Sequence, residues 1–289
     1  MKARTTAYIQ LHVAVVLYGF TAILGDLISI SALSLVWWRV LLTSLSLLFF
    51  VGFGRAILKL PPKVILQFMG IGVVVAVHWL TFYGAIKYSN ASVTLAAFAV
   101  TSLFTSLLEP MMTEKRFDKI ELMLGLLVIP AMFLIASNID LSLVKGLWIG
   151  LFSAFLAAIF AILNKKMVDK ADSYQITFLE MSSAFLFLSL LLPFFIDDNT
   201  PLMPLPTDWI YLIILALVCT TFAFIISLKA LEQVSAFDAN LVINLEPVYG
   251  ILLAAIILGD HKEVSPAFYV GVGMILMIVL GYTWWRNRE

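Results

Sequence analysis

The chain has 289 residues, of which 62% are hydrophobic and only 12% charged, and its 18 basic and 18 acidic side chains cancel. Its mean hydropathy is +1.04. A water-soluble fold of this size has too much surface to cover with so few charges, so the composition indicates a multi-pass, all-α integral membrane protein. The absence of a basic stripe argues against nucleic acid as a partner. Cys219, the single cysteine, cannot form an internal disulfide.

The first residues carry Lys2 and Arg4 ahead of an apolar stretch, as the charged end of a signal peptide would. No small-residue cleavage site follows before Gly25. The pattern therefore predicts a retained first span.

Ten apolar segments have the roughly 20 residues that a helix needs to cross the bilayer. Strands are excluded because alternation is absent and the runs are about twice the length of barrel strands. The connections are short, which leaves little mass outside the membrane. The predicted spans are 9–28, 34–54, 63–83, 90–112, 120–137, 145–163, 174–195, 209–228, 237–258 and 266–284.

The basic residues predict the orientation. With a cytoplasmic N-terminus, fourteen of the 18 lie on the cytoplasmic side and three, Lys87, Lys145 and Lys262, on the other, with Arg39 inside a span. This bias predicts that both termini are cytoplasmic. The short loops suit the cytoplasmic (inner) membrane of a bacterium.

The chain carries a faint internal repeat. With residues 82–117 aligned to 227–262, Ala85 meets Ala230 and Phe104 meets Tyr249, in the same order of hairpin, long span, charged turn and last span. Ten spans divide into five and five, and because five is odd the two units must cross the membrane in opposite directions. The sequence therefore predicts two inverted five-helix repeats, residues 1–142 and 143–289, with a central site between them.

Three local patterns occur in order along the chain: Arg39 in VWWRVLLTSL, the segment GAIKYSNASVTLAA and the segment INLEPVYGILLAAIILGD. They resemble the second-span arginine, the entry to the fourth span and the ninth span of the EamA-type exporters in the drug/metabolite transporter superfamily, and the resemblance covers essentially the whole chain. In the first half, Ser102 stands where the ninth span has Pro247, and the proline comes later, at Pro110. The two halves are therefore expected to bend at different depths.

The resemblance implies a secondary transporter that exports amino acids or similar small metabolites by alternating access, without a cofactor. A flippase or exchanger of lipids or nucleotide sugars with the same fold stays open as an alternative. An intramembrane enzyme is disfavoured, because the chain has no HExxH, GxSxG or P-loop motif. The sequence does not specify which small molecule is the substrate or which ion is coupled to transport, although a proton is the candidate. It also does not specify whether the protein is a monomer or a homodimer.

Ionisable groups inside a span usually face the bundle interior or a wet cavity. Arg39 cannot realistically deprotonate, so it must pair, reach the interface or bind an anion such as a substrate carboxylate. Glu180 falls at the matching place of the seventh span. Inverted symmetry puts the two at opposite depths, roughly 15 Å apart, which argues against a direct bridge. Two roles fit Glu180: a carboxylate that faces the cavity, or the partner of another side chain in a purely structural contact.

Glu246, near the middle of the ninth span, directly precedes Pro247. A proline inside a helix removes one backbone hydrogen bond, so a carboxylate there predicts a proton or cation site. Asn240 and Asn244 give the same helix a hydrogen-bonding face, although Glu246 is turned about 200° from Asn244. An interhelical structural bond is the alternative for Glu246.

His78, Trp79 and Tyr83 lie toward the outer end of the third span. A histidine side chain ordinarily titrates near physiological pH, so His78 is a candidate to bind an amine or a carboxylate of the substrate. Trp79 is a candidate to stack on the substrate. A packing histidine and an interfacial aromatic belt are the alternatives. The substrate-binding prediction therefore comprises His78, Trp79, Arg39, Tyr83, Asn240, Asn244, Glu246 and Glu180.

Overall fold

The computed structural model of the chain describes residues 2–52, 55–195, 202–234, 239, 242–243, 245–262 and 264–286. Within these residues the protein is a bundle of helices without strands. The helices are α1 (Lys2–Leu27), α2 (Ala32–Leu48), α3 (Pro62–Tyr88), α4 (Ala91–Phe98), α5 (Thr101–Met112), α6 (Lys119–Ala136), α7 (Val144–Met167), α8 (Ser173–Phe195), α9 (Pro206–Ile213), α10 (Ala223–Leu231), α11 (Glu246–Leu253) and α12 (Pro266–Arg286).

Six helical stretches of the described residues are long and apolar enough to cross a membrane, and four shorter helices are apolar as well. Large apolar side chains cover the outside of the bundle. Leu66, Phe133, Leu190 and Ile256 are each more than 60% exposed, a surface that suits lipid rather than water. The protein is therefore a multi-pass membrane protein.

Local sequence explains where several helices begin. The Ser31 side chain accepts a hydrogen bond from the backbone N–H of Ser34 at the start of α2, and Asn90 caps α4 through the N–H of Val93. Pro62 opens α3, where its missing N–H leaves no intrahelical bond unmade. The second span ends at Leu48 rather than at residue 54.

The fourth span is interrupted between α4 and α5, at Ala99 and Val100. In the ninth span, α11 begins at Glu246 after a turn at Leu245. Pro247 thus stands in the first turn of α11, and the expectation of a proline inside a continuous helix is wrong. The interruption at Val100 and the turn at Leu245 fall at matching positions of the alignment of residues 82–117 with 227–262.

The eighth span contains a π-helical segment, Ile214–Phe222, between α9 and α10. The hydroxyls of Thr220 and Thr221 donate to carbonyls five residues earlier, at Leu215 (2.6 Å) and Ala216 (2.9 Å). These bonds stabilise the wider turn. Such segments often occur at functional sites.

The two halves of the chain pack closely against each other. α3 packs against α7 and α8, α2 against α8, α1 against α10 and α11, α4 against α7 and α11, and α6 against α12. Glycines allow the closest approaches: a Cβ on Gly72 of α3 would overlap the carbonyl of Glu180 in α8, and one on Gly19 of α1 would lie 3.1 Å from the backbone nitrogen of Gly250 in α11.

Candidate functional site

A cavity of about 90 Å³ lies inside the bundle between the two halves. Its lining is aromatic with a few polar groups: Tyr18, Thr21, Arg39, His78, Trp79, Phe82, Phe98, Thr101, Ala157, Phe160, Ala161, Phe224, Ser227, Leu228, Leu231, Ala239, Ile243 and Glu246.

Arg39 of α2 supplies a buried positive charge to this cavity. Its guanidinium carbon lies 3.6 Å from the centre of the Trp79 ring. Nε donates to the Thr220 hydroxyl at 2.7 Å, and Nη1 donates to the Tyr83 hydroxyl at 2.7 Å. Arg39 forms no ion pair with another residue that the structure describes. The guanidinium therefore has neutral partners only, which leaves its charge available to an anionic ligand.

The π-helical segment positions this guanidinium. Because the Thr220 hydroxyl donates to the Leu215 carbonyl, its lone pairs are turned toward Arg39 Nε. Thr43, one helical turn farther along α2, donates to the Ala216 carbonyl at 3.2 Å. The hydroxyls of Ser46 and Thr221 form a further bond of 2.9 Å, so the π segment and α2 are joined at three points that fix where the arginine head lies.

Tyr83 and Trp79 contact Arg39 rather than acting as expected from the sequence. Tyr83 is fully buried, does not line the cavity, and serves as a hydrogen-bond acceptor for Arg39. Trp79 does line the cavity, but the guanidinium covers its ring at 3.6 Å. Both residues hold the arginine in place.

Glu246 places a carboxylate in the same cavity, at the first residue of α11. Only 4% of the residue is exposed, and it makes no hydrogen bond or ion pair with another described residue. The helix N-terminus favours a negative charge at this place. Thr101, its equivalent in the repeat alignment, also lines the cavity at the first residue of α5.

His78 lines the cavity and is held by Ser153 of α7. Its Nδ1 lies 3.1 Å from the Ser153 carbonyl and 2.8 Å from the Ser153 hydroxyl, which itself donates to the His78 carbonyl. A carbonyl only accepts, so Nδ1 carries the proton and Nε2 is the acceptor of the neutral ring. The ring also stacks on Phe98, with centres 5.5 Å apart.

Five aromatic side chains beyond His78 form the apolar wall. Phe160 and Phe224 stack with centres 5.5 Å apart, Trp79 meets Phe224 edge-on, and Phe82 meets Phe98 edge-on. The four phenylalanines were not predicted from the sequence, nor were Tyr18, Thr21, Thr101 and Ser227. Twenty-two phenylalanines occur in the chain, so composition gave no signal for these four.

The structure does not bring all the predicted residues together. Glu180 is fully buried between α3, α7 and α8 and is not part of the cavity lining. Asn240 and Asn244 lie outside the described residues. Arg39, His78, Trp79 and Glu246 do meet around one cavity, and Tyr83 adjoins it through Arg39.

A cavity with one buried cation, one carboxylate and an aromatic wall can bind a small molecule inside a membrane protein, yet it holds no nucleophile paired with a base. The described residues contain no group of three His, Cys, Asp or Glu side chains that could hold a metal ion. The fold and the site therefore fit a membrane protein that binds a small molecule within its helix bundle.

The comparisons agree with this class. The model of the EamA-like transporter family matches residues 5–137 and 144–284, and the chain belongs to that family. A protein crystal structure superposes with a TM-score of 0.71 at 13% identity, covering 94% of this chain and 95% of that one, which establishes the shared fold. No curated protein matches the chain.

Proposed function

We propose that the protein is a ten-span secondary transporter that exports amino acids or similar small metabolites across the cytoplasmic membrane by alternating access. The observation that carries this proposal is the cavity between the two halves. There a guanidinium without a carboxylate partner and a carboxylate without a cationic partner, among the described residues, line the same space.

The inverted repeat is supported by the packing. If each span of the first half corresponds to the span five places later, the contact of α3 with α7 corresponds to that of α10 with α1, and the contact of α4 with α7 to that of α11 with α1. The interruptions correspond as well. Val100 has φ −74° and ψ −7°, and Leu245 has φ −77° and ψ −11°. Two similar units related in this way can rock around a fixed central site.

Alternating access is supported by contacts that close one end of the bundle. Asp208 accepts from the N–H of Ser29 at 3.0 Å and from its hydroxyl at 2.7 Å. Asp260 accepts from the N–H of Ser92 at 3.1 Å. Both aspartates belong to the second half and both serines to the first; we call Asp208 and Asp260 the interhalf aspartates.

The interhalf aspartates lie at the end of the bundle where α1 ends. Lys87, at the end of α3, donates to the Ile28 carbonyl there at 2.6 Å, which places both contacts on the same side. The distribution of basic residues supports assigning this end to the outside and both termini to the cytoplasm. The conformation described is then closed to the outside.

The substrate class follows from the lining. Arg39 suits a carboxylate, Glu246 and the acceptor nitrogen of His78 suit an amine, and the phenylalanines suit an apolar side chain. An amino acid or a similar small zwitterion combines these features.

The proposal is tested by mass spectrometry of the medium from cells that express the intact protein or the double variant His78→Ala, Glu246→Gln at matched levels. We expect metabolites enriched with the intact protein and not with the double variant. Glu232→Gln, an exposed acidic residue away from the cavity, is the matched control and should export normally. Identical media for intact protein and double variant would contradict export.

A further inference from the structure

Glu180 and Asn164 form a second polar cluster that the cavity does not use. Both residues are fully buried. Asn164 Nδ2 lies 3.5 Å from Glu180 Oε2, a long contact, while Glu180 Oε1 and Asn164 Oδ1 are buried without any hydrogen-bond partner among the described residues. Two neighbouring acceptor oxygens therefore lack a donor.

The polar neighbours on α8 cannot supply this donor. The Thr177 hydroxyl donates to the Ser173 carbonyl at 2.7 Å, and the Ser183 hydroxyl donates to the Met69 carbonyl at 2.6 Å. Glycine at position 72 brings the backbone of α3 against the backbone of Glu180. This close approach leaves little space for water beside the carboxyl group.

No charged group neutralises Glu180. Among the described residues, Asn164 is its one side-chain contact of hydrogen-bond type, and no charged side chain lies within ion-pair distance of it. The helices packed against α8 are α2, α3 and α10, and their charged and titratable groups are Arg39, Lys63, His78, Tyr83, Lys87, Tyr88 and Lys229. The helix that carries Asn164, α7, adds Lys145, Lys165 and Lys166.

Most of these groups have partners elsewhere. Lys165 donates to the Leu231 carbonyl at 2.6 Å, and Lys166 donates to the Met112 carbonyl at 3.2 Å. Lys145 lies over the Tyr88 ring and Lys229 over the Tyr174 ring. Within the described part of the chain, none of them forms an ion pair with Glu180.

A bare carboxylate in such a place costs far more than a neutral carboxyl group. A proton on Glu180 turns one carboxyl oxygen into a donor. The oxygen and nitrogen of the Asn164 amide can exchange places by a 180° rotation of the amide group, and Oδ1 then accepts from this donor. One proton thereby gives Asn164 Oδ1 a donor and leaves Glu180 Oε1 as a neutral carbonyl oxygen instead of half of a buried charge.

We propose that Glu180 and Asn164 form a proton-binding site, separate from the substrate cavity, that is occupied when α3 and α8 are in contact and empties when they part. The site rests on the proposed alternating-access function, because α3 and α8 belong to different halves. On opening, water reaches the carboxyl group, which ionises and releases its proton to that water. On closing, the carboxylate takes a proton back.

The first test is infrared spectroscopy of the purified protein in lipid bilayers at neutral pH, where an exposed glutamate is ionised. We expect a carbonyl band of a protonated carboxylic acid that Glu180→Gln removes. The matched control is Glu109→Gln, since Glu109 is also buried but lies 3.0 Å from Lys115. This variant should keep the band. A band unchanged by Glu180→Gln would overturn the proposal.

The second test measures whether the proton follows the conformation. Ala157→Cys, in the cavity wall, is introduced into Cys219→Ala protein, and its reaction with a membrane-impermeant maleimide is followed between about pH 5 and about pH 9. We expect the rate to change with pH in the parent protein and to lose that change in Glu180→Gln. Loss in Glu246→Gln but not in Glu180→Gln would overturn the proposal. A cavity that reacts from one side only in every variant would instead contradict alternating access, while the infrared result would stand.

Discussion

The contact between Ser29 and Asp208 gives the sharpest test of how the two halves are held together. Ser29→Ala removes the hydroxyl bond of 2.7 Å between the halves and keeps the backbone bond of 3.0 Å. It also keeps the bond from the Leu205 N–H to Asp208, which caps α9. A hydrogen bond to a charged group contributes about 1.5–3 kcal/mol, and because this pair is only part-buried we take the lower value. The ratio of closed to open protein should then fall about tenfold.

The assay is labelling of Ala157→Cys in Cys219→Ala protein by an impermeant maleimide added from the side of the interhalf aspartates. We expect Ser29→Ala to react about ten times faster than the parent, and Asp208→Asn, which also weakens the backbone contact, to react faster still. Ser137→Ala is the control, since the bonds of its hydroxyl are local: it donates to the Phe133 and Leu134 carbonyls and accepts from Asn138 Nδ2. Equal rates in all three variants, with unchanged thermal stability, would refute the assignment of a closed gate to this contact.

Three further outcomes follow from the packing around the cavity. Tyr83→Phe removes an acceptor from the buried guanidinium of Arg39, so it should lower stability by about 1–3 kcal/mol, measured by thermal unfolding in detergent. Gly72→Ala should cost about 1–3 kcal/mol by overpacking α3 against α8, whereas Gly70→Ala, which meets open space, should not; equal unfolding temperatures would contradict the close approach. Thr220→Val should reduce export in the medium assay, while Thr220→Ser, which keeps the hydroxyl, should retain it.

The polar part of the cavity could be predicted because ionisable residues are rare in the spans. Arg39, His78 and Glu246 stand out in apolar runs, and the cost of burying such groups in lipid requires them to face the interior. That argument uses only composition and span position, and it needs no knowledge of how each helix is rotated. It therefore remains valid where a predicted span boundary is wrong, as at α2, which ends at Leu48 and not at residue 54.

The rest of the site depends on helix rotation and on contacts between distant segments. The same argument placed Glu180 near the cavity, but it cannot distinguish a cavity from a tight helix interface, and the interface became visible only through the approach of Gly72. The phenylalanine wall is hidden among many equivalent phenylalanines. The π-helical segment was also missed, because two adjacent threonines, Thr220 and Thr221, back-bond in many ordinary helices.

The crossing of α1 and α11 at Gly19 and Gly250 has a mechanical consequence. Neither glycine has a side chain to separate the two backbones there. In the proposed alternating-access motion, this crossing is therefore the point about which one half rotates against the other. From Gly19 to the end of α1 is about 12 Å of helix. A tilt of roughly 10° about this crossing moves that end by about 2 Å, enough to stretch a hydrogen bond past its useful range. In the proposed alternating-access cycle, a displacement of a few ångströms at the end of α1 is therefore enough to open that side of the cavity.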